Sequence, residues 1–125
     1  MIVDVEDLDV YRRAMKLIKP VYKLSNLLPK EEFRLKDQLT ASAKSIPALI
    51  AEGFAKRTFI KEFKRFLFMA LGSSDETITH LKQIKLIDFQ GIKTETCDAL
   101  IANYRIVSKQ INTTIKVWKS TQTHI

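Results

Sequence analysis

The sequence predicts an all-α protein, an antiparallel four-helix bundle in up-down-up-down order. Three observations lead there. Only 3 Gly and 3 Pro occur in 125 residues, too few turn formers for a sandwich or barrel of many short strands. Four segments carry apolar residues at alternating spacings of three and four, the signature of one buried helix face. The connections between these segments are short, which sets consecutive helices side by side. A chain of this length is expected to form a single domain, residues 1–125, and seams repeating every seven residues imply left-handed packing near about +20°.

The first helix is expected over about Val5–Asn26, with Leu8, Tyr11, Met15, Ile18, Tyr22 and Ser25 on its seam. Asp7 or Asp9 suits its start, because a carboxylate accepts the unpaired N–H groups of a first turn. Pro20 lies inside this helix and is expected to kink it, since it has no N–H for the Lys16 carbonyl. Pro29 ends the segment and opens the second helix, which runs to about Lys56. Its seam is Leu35, Leu39, Ala43, Ile46, Ile50 and Gly53, with Pro47 expected to bend it.

The third helix is expected over about Thr58–Asp88. Phe63, Leu67, Ala70, Ser74, Thr77, Leu81 and Ile84 form its seam, and Phe59, Phe66 and Leu71 widen the apolar face. Gly72 lacks a side chain at mid-helix, which reads as close approach of a neighbouring helix. Gly91 is expected as the left-handed cap of the third helix. The fourth helix is expected over about Thr94–Trp118, capped by Thr94, with Cys97, Ile101, Tyr104, Ser108, Ile111, Ile115 and Trp118 on its seam. The polar tail, 119–125, is expected to fray.

Composition narrows the chemistry. One Cys excludes an intrachain disulfide and a cysteine-clustered zinc site, and two His leave little for a histidine site. A di-metal bundle needs a Glu from each of two helices and a Glu-x-x-His motif from each of the other two. Here Glu76 and His80 are spaced i,i+4, which reads as a surface pair. There is no G-x-S-x-G, Walker A or G-x-G-x-x-G motif, so no catalytic residue, cofactor or metal is expected. Cys97 on its seam reads as a small core residue. The first ten residues carry four acids and no base, unlike a secretion signal, and no apolar run is long enough to span a membrane. A cytoplasmic protein is expected.

The 21 Lys+Arg against 14 Asp+Glu give a net charge of +7. Residues 56–65, KRTFIKEFKR, hold five bases and one acid. Lys56, Arg57, Lys61, Lys64 and Arg65, with Arg105 and Lys109 of the fourth helix, are the candidate nucleic-acid-binding residues, acting on phosphates without reading sequence. A further group is Arg12, Arg13, Lys16, Lys19 and Lys23. Aromatics among bases also suggest stacking, but Phe59, Phe63 and Phe66 fit the core stripe.

The block Ser45-Ile46-Pro47-Ala48-Leu49-Ile50-Ala51-Glu52-Gly53-Phe54 is followed by Glu62-Phe63-Lys64-Arg65-Phe66-Leu67 and Ala70-Leu71-Gly72-Ser73. With Leu8-Asp9-Val10-Tyr11, Ala14, Val21-Tyr22, Leu28-Pro29 and Gln38-Leu39, these residues resemble a bacterial family. Its members were first noticed as reading frames inside intervening sequences of 23S rRNA genes and are often labelled S23 ribosomal proteins. The resemblance implies a four-helix bundle and a homo-oligomer, a pentameric ring being favoured. A fold relative is the accessory protein of diversity-generating retroelements, which binds a reverse transcriptase and nucleic acid. Thr40 and Ala41 stand where the family commonly has Arg, so no contact is carried over to the second helix there. Leu49 and Thr77 also depart from the pattern, whereas Arg57 and Glu76 match it. The resulting expectation is a non-enzymatic oligomer with a basic surface that binds RNA or DNA. The alternative is a scaffold for an acidic protein partner such as a reverse-transcriptase-like protein.

Overall fold

The computed structural model describes residues 1–119. Four helices, α1 (Asp9–Ser25), α2 (Phe33–Phe54), α3 (Ile60–Ile87) and α4 (Thr94–Val117), make a four-helix bundle. Among the described residues there is no strand. Single 3-10 turns precede α1 (Val5–Asp7) and α2 (Lys30–Glu32). Each helix packs on the next, and α1 packs on α4, so one core runs through the bundle. As α2 is followed forward its partners on α3 run backward: Ser42 meets Thr77, Ser45 meets Ser73, and Gly53 meets Phe63 and Phe66. From α3 to α4 the same order holds, with Ser74 at Ser108 and Lys85 at Asp98. These contacts are compatible with the expected up-down-up-down order. Apart from Lys119, the expected frayed tail lies outside the described residues.

The predicted seams of α2, α3 and α4 are the buried ones, Cys97 included, with Leu35, Ser108 and Ile115 half-buried at the margins. The seam of α1 differs. Leu8 and Ser25 of the expected row are buried, but between them Val10, Ala14, Leu17, Val21 and Leu24 face the core, while Met15 is 47% exposed. This row lies one residue from the expected one and is equally periodic. It buries only aliphatic groups, which leaves the Tyr11 and Tyr22 hydroxyls at the margin, where they need no buried partner.

Several ends also differ. The first helix does not begin at Val5, because Asp7 accepts the N–H groups of Val3 (2.8 Å) and Asp4 (2.9 Å) and closes a separate turn. Those bonds hold the Asp7 carboxyl below its usual value. Leu8 then turns extended, and α1 starts without a side-chain cap. Asp9 pairs with Arg12 instead. Both prolines lie inside continuous helices, Pro20 in α1 and Pro47 in α2. The left-handed cap of α3 is Asp88 (φ 62°), and Gly91 (φ 87°) serves the turn beyond it. Thr94 is the first residue of α4 rather than its cap.

The close helix contact is at Gly53, where an added Cβ would lie 2.6 Å from the Phe66 Cβ. The expectation for Gly72 is not met: nothing lies within 4 Å of a Cβ there. Gly53 sits at the end of α2 just where α3 folds back against it, so backbone proximity is greatest near the corner. Gly72 points away from both neighbours.

Candidate nucleic-acid interface

The corner between α2 and α3 is a tight turn closed by backbone bonds from Lys56 to Gly53, Arg57 to Phe54 and Phe59 to Lys56. Beneath it, Phe54, Phe63 and Trp118 pack edge to face, with Phe63 and Trp118 4.9 Å apart between ring centres. Such pairs add about 0.5–1.5 kcal/mol each beyond burial. The end of α4 is thereby anchored to the corner. Phe54 is buried in this cluster.

The five candidate bases of residues 56–65 therefore stand on a rigid platform, but not in equal states. Arg65 is held by two bonds to Glu62 (3.0 and 3.1 Å) and lies over the Phe66 ring. This pairing lowers the Glu62 pKa and raises that of Arg65. Arg57 lies 4.1 Å from the Phe54 ring centre and donates to the Phe54 carbonyl. Lys56 covers the Phe66 ring at 5.2 Å. Among the described residues Lys56, Lys61 and Lys64 form no ion pair. Three ammonium groups are thus available to an anion, with Arg57 behind them.

Arg105 and Lys109 do not join this group. Lys109 precedes Trp118 by nine residues and Arg105 by thirteen, about 14 and 20 Å along α4. Arg105 shares a shallow hollow with Asp75, Lys82 and Ser108, and Lys109 borders another with Ile2 and Leu8. The sequence alone hides this separation, because it depends on Trp118, and not the middle of α4, being the part that meets the corner. Arg12, Arg13 and Lys16, which the charge pattern grouped but did not select, line a polar cleft between α1 and α4 with Asn103 and Gln110.

At the corner, Phe59 is the residue that the apolar periodicity misassigned. It precedes the first turn of α3 in extended conformation and is 70% exposed, while Phe63 and Phe66 are buried as expected. Its place outside the helix removes it from the 3.6-residue register, a signal present in the Thr58 turn but not in the apolar spacing.

A sequence model of the 23S rRNA-intervening sequence protein family matches residues 6–113. The chain belongs to that family. The match takes in the α2–α3 corner and most of α4, so it extends well beyond Glu76, the last residue on which the resemblance rested. No curated protein matches the chain.

His80 and Cys97 are both buried within the fold. His80 is buried, with Nε2 3.1 Å from Glu76 and Nδ1 3.2 Å from Gln83. Among the described residues no three His, Cys, Asp or Glu side chains gather as a metal site. Burial pushes the Cys97 thiol up, which keeps it protonated and a poor nucleophile. No helix among the described residues is long and apolar enough to cross a membrane.

Proposed function

We propose that this family member is a non-enzymatic, cytoplasmic, self-associating bundle of up-down-up-down order that binds nucleic acid through phosphate contacts at the α2–α3 corner. The observation that carries the reading is the set of bases Lys56, Lys61 and Lys64, none in an ion pair among the described residues, beside Arg57 on a chain of net charge +7. Flexible ammonium groups on a fixed turn neutralise phosphates without reading base sequence. Arg65 contributes less, because Glu62 already takes its charge. Arg105 and Lys109 supply a second contact farther along α4. Self-association is supported by Phe68 and Met69, exposed on α3, and by half-buried Leu49.

The test is anisotropy of labelled RNA and DNA over a salt series. Binding is expected to weaken steeply with salt, and Lys61→Glu with Lys64→Glu to weaken it for every sequence. Absence of a complex at low salt overturns the reading. Light scattering of the same samples reports mass, and a monomer at micromolar concentration overturns the self-association.

A further inference from the structure

We infer that the α2–α3 corner takes single-stranded nucleic acid, with the Phe59 ring as the platform on which an unpaired base stacks. This rests on the nucleic-acid reading above and specifies the form of its ligand. Four Phe residues lie between positions 54 and 66. Three of them are buried at the corner: Phe54 and Phe63 pack against Trp118, and Phe66 lies under Lys56 and Arg65. Phe59 alone of the four is exposed, and among the described residues it makes no ring or cation contact.

The ring is not presented by a loose loop. The Phe59 N–H donates to the Lys56 carbonyl (2.8 Å), and the Phe59 carbonyl accepts the N–H groups of Glu62 and Phe63. These bonds fix the backbone on both sides of the ring at the entry to α3. Lys56 lies three residues before it and Lys61 two after it, and among the described residues neither is in an ion pair. An exposed aromatic face with lysines close by on both sides in the chain matches a strand whose bases are unstacked and whose phosphates pass nearby. A duplex has its base faces covered and offers only phosphates to the same corner. The charge of the corner selects a polyanion over an apolar partner for this ring.

The experiment compares a single strand carrying 2-aminopurine with a hairpin duplex of equal length, as RNA and as DNA. The wild-type chain is expected to prefer the single strand and to quench 2-aminopurine on binding. Phe59→Ala is expected to weaken single-strand binding roughly tenfold and abolish the quench, leaving duplex binding unchanged. Phe59→Tyr is expected to keep both, and Lys61→Glu to weaken both ligands alike. Equal affinity of the wild type for strand and duplex, or a Phe59→Ala chain that binds and quenches as before, overturns the inference while leaving the phosphate reading standing. No binding of any probe overturns both. A change in mass with Phe59→Ala and unaltered nucleic-acid binding assigns the ring to self-association and also overturns it.

Discussion

A Cβ on Gly53 would lie 2.6 Å from Phe66 Cβ, 3.2 Å from Phe63 Cδ1 and 3.3 Å from the Phe63 carbonyl oxygen. The Phe66 Cβ is fixed to backbone and the Phe63 ring is locked against Trp118, so neither yields without displacing α3. Gly72, also inside a helix, is exposed and faces open space. The same substitution at the two positions is therefore expected to have opposite signs. Gly53→Ala should destabilise by about 1–3 kcal/mol, as overpacking of a filled core does. Gly72→Ala should stabilise by up to about 1 kcal/mol, the helix-propensity difference. Urea unfolding of both variants checks this, and equal effects would contradict the packing assigned to Gly53. At this scale sequence reasoning found a mid-helix glycine but chose the wrong one. A glycine next to a turn looks like a helix end, and a contact between two helices leaves no local mark.

Near the start of α3, Glu62 and Arg65 stand three residues apart, and Arg65 donates through one guanidinium edge, Nε and Nη2, to both carboxylate oxygens of Glu62. Arg65 holds the Glu62 carboxyl below its ordinary 4.5. A folded-state pKa lower than the unfolded one stabilises the fold above the unfolded value. That contribution fades as the pH falls through the lower, folded value. Glu62→Gln is expected to remove this fraction of the acid sensitivity, flattening the stability profile below about pH 4.5 while changing little near neutrality beyond the loss of the pair. Chemical denaturation at stepped pH reads the slope. An unchanged slope below 4.5 would show that the pair does not persist in solution. The pair itself is legible in the sequence as an i,i+3 acid and base on one helix face. The start of that helix is not, because the Thr58 turn and the extended Phe59 depend on the bonds that close the corner.

Across the whole molecule, hydroxyls tie three helices together inside the core. The Thr77 and Ser42 hydroxyls are 2.8 Å apart, joining α3 to α2, and Ser45 and Ser73 repeat the link at 2.7 Å. On the other side Ser74 meets Ser108 at 2.8 Å and the Tyr104 carbonyl at 3.2 Å, joining α3 to α4. Thr77→Val keeps the shape and deletes the hydroxyl, so it is expected to cost about 1 kcal/mol with no loss of helix content. Circular dichroism with urea unfolding measures both, and a variant as stable as the parent would make this polar seam energetically idle. Helix number and the buried faces of α2, α3 and α4 follow from the sequence alone, because a 3.6-residue period leaves one consistent apolar row on each. The bases of residues 56–65 are likewise adjacent in the chain and stay adjacent in space. The face of α1, the glycine of the close contact, the partners of the buried hydroxyls and the exposure of Phe59 were decided by tertiary structure. Each depends on which of two locally equivalent surfaces meets a neighbouring helix, and that choice is made by packing between segments far apart in sequence.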